Sequence, residues 1–381
     1  MKIVADQNIP HVEACFSHLG EVSLFAGREI APEAVVEADV LLVRSVTQVN
    51  EALLAQSPVK FVATATIGIE HVDLSYLDAR GIGFASAPGS NAMSVADWVT
   101  ASLLALAEKY GISLAGKSMG IVGVGNVGGR VARKCDGLGM HTVLNDPPLA
   151  RSTGDAQYRP LEDIYECDFV TLHTPLTHDG RDKTYHLADV DFFENLKPGA
   201  VFLNAARGGV HDTAALQVAL EGGRLQAVAL DVWENEPFID PALLRLVDIA
   251  TPHIAGYSLD GKIAGLTMIY RATCEYFGLT AKHTTADFLP EPEVKEIELE
   301  PSSRTEQEQV FQTVEQVYPI DRDDNHTRGI LSVPPAERAA FFEGLRKNYP
   351  IRREFQNTNV RGVDKDSRLA RMLSGIGFQV D

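Results

Sequence analysis

Short, continuous apolar runs alternate with helix-length segments along most of the chain. Ile3 to Ala5, Val40 to Val43 and Phe61 to Ala65 read as strands, and their spacing predicts a first parallel α/β unit. The segment Asn91 to Tyr110 carries Val95, Val99, Leu103, Leu106 and Ala107 at helical spacing, which predicts a long apolar helix crossing between domains. An apolar strand then runs into Gly123. Val127, Val131 and Leu138 follow at helical spacing, and Met140 to Leu144 reads as the next strand. Four further runs, Phe169 to Leu172, Ala200 to Leu203, Ala227 to Leu230 and Val247 to Ala250, complete a second, doubly wound sheet. After Tyr276 the pattern changes. An acidic stretch, Glu291 to Asp324, gives way past Pro334-Pro335 to a more basic one, Arg338 to Arg371, read as a third domain of α+β type with two solvated faces.

The junction between the second unit's first strand and helix is the most informative motif. Gly123, Gly125 and Gly128 enclose Asn126 and Val127, and Asp146 stands just past the following strand. In this setting Gly123 permits a tight turn, Gly125 lets the backbone approach a pyrophosphate, and Gly128 lets the helix pack closely on its strand. Free N–H groups at the helix N-terminus then face the anion. A carboxylate at Asp146 can accept from both ribose hydroxyls and repels a 2′-phosphate, which favours NAD over NADP.

Composition narrows the partners. At 381 residues, 45% hydrophobic, the chain is long enough for two or three domains with real cores. Lys+Arg 34 against Asp+Glu 52 gives a formal charge of -18, which discourages nonspecific nucleic-acid or anionic-membrane binding and requires a local basic pocket for an anionic substrate. Met1 to Asp6 enters a strand pattern directly and no apolar run reaches membrane-spanning length, so a cytoplasmic protein is expected. Cys15, Cys135, Cys167 and Cys274 form no CxxC pair and read as buried thiols. With no HxxxH or HExxH spacing either, no metal is expected.

Each late strand ends in special residues: His173-Thr-Pro175, Asn204-Ala-Ala-Arg207, Asp231-Val-Trp233 and Thr251-Pro-His253. Ligands of open parallel sheets bind at the carboxyl ends of strands, so these clusters point to one site. Arg207, Glu236 and His253 suit oxidation of a 2-hydroxy acid. An imidazole titrating near neutrality is matched to accept the hydroxyl proton as hydride leaves C2, which makes His253 the candidate base. Glu236 would orient it, and Arg207 could bind the substrate carboxylate through two parallel hydrogen bonds. His71, His173 and His211 are weaker candidates.

The set Gly123-Val-Gly-Asn-Val-Gly128 with Asp146, His173-Thr-Pro-Leu176, Asn204-Ala-Ala-Arg-Gly208, Asp231, Glu236-Pro237 and His253-Ile-Ala-Gly256 resembles the D-isomer-specific 2-hydroxyacid dehydrogenases over roughly residues 1 to 280. Within that family, Gly256 to Lys262 and the C-terminal extension are most similar to the branch that oxidises a phosphorylated four-carbon 2-hydroxy acid. The resemblance implies an α/β fold of two doubly wound parallel-sheet domains plus a C-terminal α+β dimerisation domain. Residues 1–92 with 256–280 would form a flavodoxin-like substrate (lid) domain, 93–255 a Rossmann-type NAD-binding domain, and 281–381 the dimerisation domain of a homodimer. It implies Arg207, Glu236 and His253 as the catalytic set. NAD would lie against Asp146, Thr174, Ala205, Ala206, Arg207, Asp231 and Gly256, and substrate against Ser45, Thr66 and Tyr257, with Arg44 adding charge for the phosphate. Asp97-Trp98 departs from the family, where glutamate is common. Two alternatives stay open: a sister enzyme such as a 3-phosphoglycerate dehydrogenase, and a non-catalytic NAD(H)-sensing protein of corepressor type.

Overall fold

The computed structural model describes residues 1–381, which divide into two compact units: Met1–Ala92 with Tyr257–Glu291, and Met93–Gly256 with Pro292–Asp381. In the first unit, β1 (Lys2–Asp6), β2 (Glu21–Phe25), β3 (Val40–Val43), β4 (Phe61–Thr64) and β5 (Gly83–Ala85) form one parallel sheet in the order β2-β1-β3-β4-β5, the flavodoxin-like order. Side chains alternate between its faces with a period of two. Ile3, Ala5, Val40, Leu42, Phe61 and Ala63 meet Ile263, Leu266, Ile269 and Tyr270 of helix Leu259–Tyr276 on one side. Val4, Leu41, Val43 and Val62 meet Val35, Leu53, Leu54 and Leu77 on the other. Both faces are covered, which is why the central strands read as unbroken apolar runs. The edge strands β2 and β5 are largely exposed or half-buried, and the sequence pattern misses them.

In the second unit, β6 (Ser118–Val122), β7 (His141–Asn145), β8 (Phe169–Leu172), β9 (Ala200–Asn204), β10 (Leu225–Leu230) and β11 (Ile249–Ala250) are parallel in the order β11-β10-β9-β8-β6-β7. A single parallel bridge, Leu144 to Tyr158, adds a vestigial strand beyond β7. With it counted, the half-sheet order 3-2-1 followed by 4-5-6 of the dinucleotide-binding fold is complete. The helix Ala92–Tyr110 buries Trp98, Val99, Leu103, Leu104 and Leu106.

Residues 292–381, part of the segment expected as a domain over 281–381, pack in the same unit as 93–256. They carry a small parallel sheet of β12 (Glu296–Glu298), β13 (Asn359–Arg361) and β14 (Gln379–Val380). Their helix Arg368–Ile376 lies against helix Gly128–Gly137, with Gly137 and Gly375 so close that a Cβ on Gly137 would stand 2.7 Å from the Gly375 Cα. All four cysteines are free and buried, and burial pushes the Cys15 and Cys135 thiols up to about 12. No helix is long and apolar enough to cross a membrane.

Candidate active site

The carboxyl ends of adjacent strands in the second unit are stitched together. Gly123 N–H donates to Asn145 O (2.8 Å), His173 N–H to Val122 O (2.7 Å), Asp231 N–H to Asn204 O (3.0 Å) and His253 N–H to Asp231 O (2.7 Å). These bonds extend the sheet ladder by one rung and bring the glycine loop, the 173–175 loop, the 205–207 loop and the 231–236 and 251–256 loops to one edge.

In the glycine loop, Gly123 has φ +88°, open to glycine without strain, and a Cβ there would stand 2.7 Å from His173 O. A Cβ at Gly128 would overlap the Gly123 carbonyl oxygen, whereas one at Gly125 would meet nothing. The backbone is therefore sealed on its protein side and open at Gly125. Asn126 is exposed and Val127 half-buried at the mouth of helix Gly128–Gly137. Asp146 accepts from Val124 N–H (2.8 Å) and Leu149 N–H (3.0 Å), tying the glycine loop to the end of β7. Thr174 Oγ1 and His173 Nδ1 are buried with no partner in the protein. An open glycine backbone, a carboxylate at the strand end and polar atoms lacking partners fit a dinucleotide.

Two side chains of the candidate catalytic set meet directly: His253 Nδ1 and Glu236 Oε2, at 2.7 Å. Burial disfavours ionisation of Glu236. The charge and hydrogen bond of His253, the Trp233 N–H at 2.8 Å and the charge of Arg346 outweigh it and hold the carboxyl below its ordinary value. An ionised carboxylate on Nδ1 fixes the ring and leaves Nε2 to face a substrate. His253 itself has φ +58°, a left-handed conformation that costs a non-glycine residue on the order of 1–3 kcal/mol and persists only where neighbours over-determine it. Asp231 is one such neighbour. Its carboxylate accepts from Ile254 N–H (2.8 Å), Ala255 N–H (3.0 Å) and the Thr251 hydroxyl (2.6 Å), ahead of the turn at Gly256.

Arg207 lies at the end of the loop after β9, half-buried, with Nη1 donating to Ala206 O (2.8 Å). Asn204 shapes that loop: its Oδ1 accepts from Ala206 N–H (2.9 Å), and its Nδ2 reaches Arg207 O (3.1 Å) and His211 Nδ1 (2.9 Å). Ala205 and Ala206 span the turn between them. Gly208 packs so tightly on the Trp233 carbonyl that no Cβ fits, which locks the Arg207 loop to the Glu236 loop. His211 is fully buried, and burial lowers it to about 4, so it is a neutral structural acceptor.

The remaining candidates belong to the first unit. Arg44 and Ser45 follow β3, and Arg44 Nε donates to the buried Asp6 carboxylate (3.0 Å). Thr66, past β4, shares its hydroxyl with Thr64 (2.7 Å) and donates to Gly68 O (3.1 Å), while Thr64 meets His71 Nε2 at 3.1 Å. Tyr257 lies under the Lys262 ammonium, 4.8 Å from the ring centroid. Sequence reasoning places Thr251 in a strand-end cluster and notes Trp98, but assigns neither a role. Trp98 Nε1 donates to Thr251 Oγ1 (3.0 Å), which in turn supports Asp231; an apolar helix residue offered no signal of that task.

Residues 88–255 match the model of the D-isomer specific 2-hydroxyacid dehydrogenase NAD-binding domain, and 288–377 match a domain of unknown function. The chain is 45% identical over 379 residues to an erythronate-4-phosphate dehydrogenase of Edwardsiella ictaluri, covering 99% of both chains. The chain belongs to the erythronate-4-phosphate dehydrogenase family. A second family member, from Hahella chejuensis, is 43% identical over 381 residues, covering 100% of this chain and 99% of its own. Among solved structures, NAD-bound 3-phosphoglycerate dehydrogenase of Entamoeba histolytica aligns with TM-score 0.62 at 24% identity, over 73% of this chain and 96% of its own. D-lactate dehydrogenase of Aquifex aeolicus, bound to NAD and lactic acid, aligns at 0.59 and 22%, over 73% and 96%. These two likenesses show that the family shares the 2-hydroxyacid dehydrogenase fold.

Proposed function

We propose that this protein oxidises 4-phospho-D-erythronate to 2-oxo-3-hydroxy-4-phosphobutanoate with NAD, a step on the route to pyridoxal 5'-phosphate. The observation that carries this reading is the His253–Glu236 pair at 2.7 Å, set one loop from Arg207 at the edge that holds the glycine turn. Full-length similarity to erythronate-4-phosphate dehydrogenases supports the choice of substrate.

In this reading NAD, when bound, supplies the hydride acceptor, and residues 123–128, Asp146, Thr174, 205–207, Asp231 and Gly256 hold it. Arg207 grips the substrate carboxylate and polarises the C2 oxygen as it becomes a carbonyl. His253 Nε2 takes the C2 hydroxyl proton. Glu236 stays ionised, keeps the ring oriented and stabilises the imidazolium that forms. The C2 hydrogen leaves as hydride, the hydroxyl hydrogen leaves as a proton, and the 2-oxo acid remains. Ser45, Thr66, Tyr257 and Arg44 would bind the hydroxyls and phosphate. The enzyme works in the cytoplasm as a homodimer, a reading supported by the resemblance; sedimentation velocity checks the dimer.

A single-turnover assay tests the reaction. Purified protein and NAD are mixed with 4-phospho-D-erythronate or with 3-phosphoglycerate while nicotinamide absorbance is followed. Reduction with the erythronate alone is expected. Reduction with phosphoglycerate alone assigns the sister activity, and silence with both alongside tight NADH binding assigns a sensor.

A further inference from the structure

A buried arginine from the C-terminal segment holds the backbone that follows the candidate base. Arg352 is 4% exposed, and its Nη2 donates to Ala255 O (2.6 Å), Ile254 O (3.3 Å) and Ser94 Oγ (2.7 Å). Ser94 Oγ itself donates to Ala255 O at 2.7 Å. The guanidinium lies 4.1 Å from the centroid of the buried Tyr318 ring. Its own segment is anchored three residues on. Phe355 N–H donates to Asp97 Oδ2 (3.2 Å), and Asp97 pairs with Lys134 (2.7 Å) of the glycine-loop helix, whose ammonium also donates to Ile376 O. Asp97 is thus a buried anchor for the C-terminal segment.

We propose that Arg352 is a positioning residue for His253. The peptides at 254 and 255 are gripped from both sides: Asp231 takes their N–H groups and Arg352 takes their carbonyls. His253, immediately before them, sits in a left-handed conformation that relaxes once its flank is free. A guanidinium suits this task because its planar fork can serve several acceptors at once in a fixed geometry, and charge-assisted bonds are about twice as strong as neutral ones. Ser94 and Ala255 also lie beside the two places where the chain passes between units, at 92–93 and 256–257, so one side chain ties both crossings on the second unit. The C-terminal extension thereby contributes to the chemistry of the site through the backbone at 254 and 255, beside the charge that Arg346 exerts on Glu236. The catalytic part of this inference rests on the proposed dehydrogenase reaction; the clamp itself does not.

The test compares wild type with Arg352→Met, Arg352→Lys and Ser94→Ala by hydrogen–deuterium exchange and by kinetics. In Arg352→Met the amides of 253–257 should exchange at least tenfold faster while those of 200–204 in β9 stay unchanged. The kcat for 4-phosphoerythronate should drop at least tenfold, with NADH dissociation and KM within twofold. Arg352→Lys should restore at least half of the lost protection. Unchanged exchange at 253–257, or a rise matched by β9, overturns the clamp, since a general loss of stability loosens both. Normal kcat alongside faster exchange overturns the positioning role. If Arg352→Met does not fold, Ser94→Ala decides: about threefold faster exchange at 253–257 supports the proposal, and none overturns it. Wild-type protein inactive on the erythronate would sink the reaction and the positioning role while the exchange data still decide the clamp.

Discussion

At the carboxyl end of the first sheet, polar side chains are matched to one another: Arg44 to Asp6, Thr64 to Thr66 and His71. At the carboxyl end of the second, polar atoms are left over. Thr174 Oγ1 and His173 Nδ1 have no partner, the backbone at Gly125 faces open space, and His253 is held in a strained conformation with a carboxylate behind its ring. Both sheets are parallel and covered on two faces, so the fold does not account for the difference. An unmatched buried polar atom costs about 1–3 kcal/mol, and a structure that keeps several at one edge is built for something that will match them. The side chains named at the first sheet satisfy one another, whereas those at the second leave polar atoms that a ligand would match.

Removing the base is the sharpest way to break that contrast. His253→Ala should lower kcat by about 10³-fold or more while NADH affinity, measured by fluorescence titration, changes little, because the lost interaction belongs to the transition state. An unaltered kcat rules out proton transfer through His253.

The second-largest effect concerns a histidine at the same edge that is paired through Nδ1, to Asn204, while its Nε2 has no partner. His211 is fully buried and lowered to about 4 by that burial, whereas unfolded it titrates near 6.5. The unfolded chain therefore binds the proton first as pH falls. Stability should decline between about pH 6.5 and 4, reaching about 3 kcal/mol for this group, and the decline should end below the folded value. Urea melts across that range check it, with His211→Gln expected to show the shallower slope.

How much of this edge can be read along the chain depends on the range of the interaction. Val40 to Val43 and Ala200 to Leu203 announce themselves because a strand buried on both faces must be continuously apolar. Glu21 to Phe25 and Gly83 to Ala85 do not, since a sheet edge makes no such demand. The glycine turn is a local steric requirement and so leaves a local spacing. His253 and Glu236 are suggested by their chemistry and their place after strands. The Arg352 clamp leaves no trace, because Arg352 and Ser94 are 258 positions apart and an arginine in a basic stretch resembles its neighbours. The Asn204–His211 bond, which supports the Arg207 loop, is equally silent: a neutral histidine used only as an acceptor has no pattern of its own.

Glu236 tests whether the carboxylate behind the ring acts by charge or by shape. Its carboxyl is held below the ordinary value, so it remains ionised throughout the neutral range and into mild acid. Glu236→Gln keeps the hydrogen-bonding outline but removes the charge that stabilises an imidazolium, and kcat should fall about a hundredfold with NADH binding intact. A loss below threefold would mean that orientation alone suffices.

The smallest expected effect lies on the matched side of the comparison, at Arg44. Its Nε serves a buried carboxylate that also accepts from Asn8, so Arg44→Ala would leave Asp6 short of a partner and mix a stability loss with any loss of binding. Arg44→Lys separates the two. An ammonium can still neutralise Asp6, which keeps the melting temperature within a few degrees, but it cannot present a planar fork to a phosphate while doing so. If Arg44 binds the substrate phosphate, KM for 4-phosphoerythronate should rise about tenfold, about 1.4 kcal/mol, with kcat nearly constant. If KM stays put and only stability moves, Arg44 belongs wholly to the first sheet's internal matching, and the phosphate must be held elsewhere.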